Sequence, residues 1–136
     1  MTRLVCGTNV LASGVLTASG PPGRIVEAVL AGELEPAFDA AIRSEYEDVP
    51  GRRELSLDPA RVGALLEVFD GFGLEVVVPS WPERLPDAAD APFLAVAAWV
   101  GCPLVAGNLR HLPVSARDGV VVLTPRQFVD SIAERP

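Results

Sequence analysis

Short apolar runs rich in β-formers alternate with helical stretches along the whole chain, and that alternation limits the fold more than any other feature. The runs fall at residues 3–6, 34–38, 74–78, 104–105 and 120–123. The stretch 74–78 reads as a parallel strand buried on both faces. Between the runs, apolar residues recur at helical spacing: Val10, Leu11, Gly14 and Val15; Ile25, Val26, Val29 and Leu30; Ile42, Tyr46 and Val49; Val62, Leu65, Leu66 and Phe69; residues 92–100; and Phe128, Val129 and Ile132. Start and stop signals frame these helices: Pro21-Pro22 and Gly32, Asp39 and Pro50-Gly51, Asp58-Pro59 and Gly71/Gly73, Thr124-Pro125. The order predicts an α/β fold, a three-layer α/β/α sandwich with a mostly parallel central sheet of four or five strands.

Length and composition narrow the function classes. The 136 residues suit a single domain, residues 1–136, large enough to fold without a disulfide or zinc staple. Apolar residues make up 49% and charged ones 21%, which excludes a disordered chain. The longest membrane candidate, residues 91–106, is broken by Gly101 and Pro103, so no membrane span is expected. No secretory segment opens the sequence, so a cytoplasmic location is the expectation. Net charge is −7, and every basic residue is Arg. That balance disfavours charge-driven nucleic-acid binding, yet it is compatible with a local acidic centre that handles phosphates through a bound cation. Cys6 and Cys102 stand apart in apolar runs and read as buried, reduced thiols, with no base placed beside either. Ser19 to Gly23 is glycine-rich but lacks the Lys-Ser/Thr of a phosphate loop, and its two prolines remove backbone donors, which disfavours a nucleotide-binding module.

In open parallel sheets the functional crevice lies beyond the carboxyl ends of the strands, where strand order reverses. Gly7, Thr8 and Asn9 follow the first run, Asp87 and Asp90 follow the third, and Gly107 and Asn108 follow the fourth. Glu45 sits mid-helix between Ile42 and Val49. Each has a plain structural reading: Asp90 as a helix N-cap, Asn108 as a left-handed turn residue, Thr8 and Asn9 as caps, Glu45 and Asp87 as solvated charges, and His111 as a structural histidine. Taken together they form an oxygen-rich rim, whose ligand type suits Mg²⁺ or Mn²⁺ and not zinc.

Several segments resemble the PIN-domain family, of the compact type found as toxins in bacterial toxin–antitoxin systems. Leu4-Val5-Cys6-Gly7-Thr8-Asn9-Val10-Leu11 is similar to the opening strand and DTNVL motif. The Ser13 to Ile25 stretch, with its Ser19-Gly20-Pro21-Pro22-Gly23-Arg24-Ile25, resembles the following loop and second helix, and Ser44 to Val49 the EYxxV helix. Asp87-Ala88-Ala89-Asp90-Ala91-Pro92-Phe93-Leu94 and Val105 to Leu112 resemble the DxxDxPFL and TGN/D-xx-HL segments, and the closing residues 122–128 also fit. The resemblance implies a metal-dependent endoribonuclease. Glu45, Asp90 and Asn108 would be the catalytic and metal-holding positions for Mg²⁺ or Mn²⁺. Thr8, Asn9 and Asp87 would support them, and Arg110 would contact RNA, with Arg52-Arg53 as a further basic pair. An RNA substrate, a cognate antitoxin protein and a homodimer are the implied partners. From their sequence positions Trp81 and Trp99 are both candidate interface residues, with a core place favoured for Trp99.

Three departures bear on activity. Gly7 stands where the family has its first Asp, Ala106 replaces a Thr, and Asn108 is neutral. A metal loses a central anionic ligand at Gly7, and the adjacent Cys6 points to the opposite face of the strand, its thiolate a poor Mg²⁺ ligand in any case. The implied activity is therefore weakened or lost, with weak or absent metal binding. The alternative is a non-catalytic interaction module of the same fold that binds an antitoxin-like partner, RNA or itself.

Overall fold

The computed structural model describes residues 2–52 and 56–133. Arg53, half of the basic pair noted above, lies outside the described residues. Five parallel strands form one sheet: β1 (Thr2–Cys6), β2 (Leu34–Phe38), β3 (Leu74–Glu75), β4 (Leu104–Val105) and β5 (Val122–Leu123). Six helices connect and flank them: α1 (Thr8–Leu16), α2 (Pro21–Leu30), α3 (Ala40–Asp48), α4 (Pro59–Phe72), α5 (Ala91–Val100) and α6 (Pro125–Ala133). The arrangement is the three-layer α/β/α fold that the alternation of elements predicts. Among the described residues, no helix is long and apolar enough to cross a membrane.

Strand order is β3-β2-β1-β4-β5. The chain lays β2 and β3 on one side of β1, then returns to add β4 and β5 on the other. Strand order therefore reverses between β1 and β4, and the crevice opens beyond their carboxyl ends. Two bonds fix that edge: Val5 N–H donates to the Pro103 carbonyl at 2.9 Å, and Gly7 N–H to the Val105 carbonyl at 2.8 Å. Cys6 and Val105 stand in register, so the loops after the two strands leave the sheet side by side.

Local chemistry sets the helix ends. The Asp39 carboxylate accepts from Ile42 N–H at 2.9 Å and starts α3. Asp58 accepts from Ala60 N–H at 3.0 Å, with Pro59 in the first position of α4. At α6, Thr124 Oγ1 accepts from Gln127 N–H at 3.1 Å and Gln127 Oε1 from Thr124 N–H at 2.9 Å, a reciprocal capping box. Gly32 follows α2 at φ +76°, where a side chain is strained.

The Ser19 to Gly23 stretch works as a helix junction. A Cβ on Gly14 would lie 2.5 Å from the Pro22 carbonyl oxygen, and one on Gly23 2.5 Å from that of Thr17. Only glycine allows α1 and α2 to approach so closely. The main core lies on β1, β2 and β4 under α5, with Leu4, Val5, Phe38, Leu94, Val96, Leu104 and Val105 buried. Tyr46 and Phe69 meet edge to face at a centroid distance of 5.3 Å, joining α3 to α4.

Two expectations need correction. The 74–78 run is not a strand buried on both faces: only Leu74 and Glu75 pair, β3 is the sheet's edge, and Val77 is 92% exposed. Pairing to β2 begins at Ala37, just beyond Pro36, whose ring leaves no N–H for a ladder. Trp99 is exposed and not core, because it falls on the solvent side of α5. Trp81 is half-buried, its indole N–H donating to the Ala116 carbonyl at 3.0 Å.

Candidate functional site

A cleft of about 210 Å³ opens at the reversal point. Its walls include Gly7, Thr8 and Asn9 after β1, Glu45 from α3, Asp87 and Asp90 ahead of α5, and Asn108 and His111 after β4. Folding thus gathers Gly7, Thr8, Asn9, Glu45, Asp87, Asp90 and Asn108 at one rim. Arg110 sits in the 3₁₀ turn Leu109–His111, exposed, and does not line the cleft.

Each wall has a local cause. Gly7 caps α1 with φ −61° and ψ 149°, ordinary extended backbone that any residue adopts. Its missing side chain leaves that end of the cleft without a carboxylate. Thr8 begins α1 and is buried, and its hydroxyl oxygen has no hydrogen-bond partner. Glu45 is presented by α3, whose next residue, Tyr46, is fully buried and donates its hydroxyl proton to the Cys6 carbonyl. That bond anchors the glutamate's helix to the strand that ends at Gly7.

Asp90 is not the helix cap that its position suggests. Asp87 fills that role: its Oδ1 accepts from Ala89 N–H at 3.0 Å and opens the 3₁₀ turn Ala88–Asp90 that leads into α5. The Asp90 side chain makes no capping bond, and its Oδ2 is buried without a hydrogen-bond partner. Burial raises the Asp90 pKa, the Asp87 charge adds to the rise and Glu45 contributes, against an opposing effect of His111. A carboxylate left unpaired in a partly buried place lacks a cation or a proton.

A histidine and an arginine also border the cleft. His111 Nδ1 lies 3.9 Å from Asp90 Oδ2, and its Nε2 meets Asn108 Nδ2 at 3.3 Å. It is half-exposed at the rim of the cleft. Asn108 has φ −116° and ψ 87°, outside the left-handed region assigned to it from the sequence. Arg52 Nη2 stands 4.0 Å from Glu45 Oε1, a solvated and long pair that leaves the carboxylate available. Sequence spacing gave no signal for these two approaches; the local GN-x-x-H pattern was the one hint for His111.

The donor set fits a divalent cation. Glu45, Asp87 and Asp90 supply carboxylates, Asn108 an amide and Thr8 an unpartnered hydroxyl. Neither cysteine joins them: burial pushes the Cys6 thiol up to about 12 and the Cys102 thiol to about 11, so both stay protonated.

The profile of the PIN domain family matches residues 3–108. The structure also resembles the crystal structure of FitAcB from Neisseria gonorrhoeae, with a TM-score of 0.56 over 93% of this chain and 99% of that one, at 17% sequence identity. No curated protein matches the sequence.

Proposed function

Because the chain belongs to the PIN domain family, we propose that it is a metal-dependent endoribonuclease of the toxin–antitoxin type, weakened by the missing carboxylate at position 7. The carrying observation is the convergence of Glu45, Asp90 and Asn108 on one cleft, with Asp90 Oδ2 buried and unpartnered. On this reading residues 1–136 form one PIN-like domain that works in the cytoplasm as a homodimer with a cognate antitoxin protein.

Glu45, Asp90 and Asn108 are the positions that would hold Mg²⁺ or Mn²⁺. A divalent ion there supplies an acidified water and offsets charge on a phosphodiester in transition. Asp90 and Glu45 provide the negative charge that retains it, and the Asn108 carbonyl oxygen adds a neutral donor. The Thr8 hydroxyl and the Asn9 amide, at the first turn of α1, orient the rim. Arg52, which lines the cleft, and the exposed Arg110, next to His111 in sequence, would meet phosphate oxygens of an RNA strand. Asp87 supports Asp90 by capping the turn that presents it.

The same centre favours a second reading. With no side chain at Gly7 and no hydroxyl at Ala106, only Glu45, Asp87 and Asp90 bring negative charge, which suits a non-catalytic module that binds an antitoxin-like partner, RNA or its own copy. Calorimetric titration with Mn²⁺, followed by incubation with a structured RNA, separates the two. Binding with cleavage that is lost in Glu45→Gln supports the nuclease. A folded protein that neither binds Mn²⁺ nor cuts RNA overturns it.

A further inference from the structure

Asp87, Asp90 and His111 each bring one ligand atom into a group whose members all lie within 4.8 Å of one another. Three donors held by one ion at bonds of about 2.1 Å stand about 3.0–3.6 Å apart. Closing this group therefore takes side-chain movement of at most about 2 Å. The cluster is not purely acidic, since His111 contributes a ring nitrogen. A separate feature of the cleft also points to a ligand: Thr8 is 8% exposed, and its hydroxyl oxygen has no partner.

We propose that Asp87, Asp90 and His111 form a mixed nitrogen–oxygen site that selects a first-row transition ion, Mn²⁺, Co²⁺ or Zn²⁺, over Mg²⁺. The proposal rests on the reading of the cleft as a cation site, but not on RNA cleavage. Imidazole suits transition ions, whereas Mg²⁺ demands oxygen donors. Gly7 leaves the β1 side of the cleft without an anion, so the charge available to a cation shifts toward the turn ahead of α5. The proposed set adds one nitrogen to the oxygen donors inferred from the sequence.

Asn108 completes the arrangement. Its side-chain amide lies 3.3 Å from His111 Nε2, the ring nitrogen opposite the one that faces Asp90. Ligation through Nδ1 requires a proton on Nε2, and that proton needs an acceptor. The amide supplies one when its oxygen, which has the same shape as its NH₂, faces the ring. Asn108 would then be a positioning residue for His111, its oxygen turned to the ring and not to the ion.

The full-length chain is titrated with Mn²⁺, Co²⁺ and Mg²⁺ by calorimetry, and the visible absorption of bound Co²⁺ is recorded. His111→Ala is expected to weaken Co²⁺ and Mn²⁺ about tenfold or more, to alter the Co²⁺ spectrum, and to leave Mg²⁺ within about twofold. Asp87→Asn keeps a capping side chain and is expected to weaken all three ions. Unchanged Co²⁺ affinity and spectrum in both variants, with binding lost in Glu45→Gln, overturns this site and leaves the family centre standing. A Co²⁺ site lost in His111→Ala, in a protein that cuts no RNA, supports this site while the nuclease reading falls. Failure to bind any of the three ions overturns both.

Discussion

Tyr46 donates its hydroxyl proton to the backbone carbonyl of Cys6, and both groups are buried. The bond ties the helix that carries Glu45 to the strand whose end is the cleft floor. Replacing Tyr46 with Phe keeps the ring packed on Phe69 but leaves the Cys6 carbonyl without that donor. The expected cost is about 1–3 kcal/mol of folding stability, read from denaturant melts. Mn²⁺ affinity is expected to fall with it, as Glu45 loses its fixed distance from β1. Stability lost with affinity retained would show that the bond only serves the fold.

Restoring a carboxylate at position 7 is the most direct test of the weakened centre. Gly7 has backbone angles that aspartate adopts freely. A Cβ there would stand 3.0 Å from the Val105 carbonyl oxygen, so the β4 end must give by a few tenths of an ångström. Gly7→Asp is expected to raise Mn²⁺ affinity about tenfold or more, from the Coulomb attraction of one added charge in a partly shielded cleft. RNA cleavage is expected to rise with it. No change in either quantity would count against the assignment of the cleft.

Asp90 links stability to function through pH. Its folded pKa is raised above the ordinary value of 3.8, so the folded chain holds this proton more tightly than the unfolded one. Its contribution to stability is fully present below pH 3.8 and is lost as pH rises through the raised folded value. Ionised Asp90 thus disfavours the fold at neutral pH unless a cation compensates. Asp90→Asn is expected to raise Tm at pH 7, to flatten that part of the pH–stability curve, and to weaken Mn²⁺ binding. Added Mn²⁺ is expected to raise the Tm of the wild-type chain only. A lower Tm in Asp90→Asn at pH 7 would contradict this account.

The junction of α1 and α2 offers a control away from the cleft. Gly14→Ala places a methyl group 2.5 Å from the Pro22 carbonyl oxygen. Overpacking of this kind is expected to cost about 1–3 kcal/mol. Mn²⁺ affinity is expected to stay within about twofold of wild type once the protein is folded. Urea melts and calorimetry on the same preparation check both halves.

Much of this molecule is legible in its sequence because the relevant physics is local. Asp39, Asp58 and the Thr124–Gln127 pair cap helices through bonds spanning two or three residues, so composition and spacing suffice to find them. The helix periodicity and the alternation with β-rich runs likewise yield the α/β layering. Gly7, Thr8, Asn9 and Asn108 were legible as cleft residues because parallel sheets place polar strand-end residues at the reversal of strand order. Three things needed the tertiary structure. Val77 is apolar by sequence but exposed, because it lies beyond the short edge strand β3, which pairs only with β2 among the described residues. Asp90 looks like a cap, yet Asp87 takes the cap and leaves the Asp90 oxygen unpaired. His111 is the sole histidine, and only the approach of β4 to the start of α5 sets it against Asp90. Caps and periodicity depend on neighbours along the chain, while burial, partnership and charge compensation depend on which distant segments the fold brings within a few ångströms.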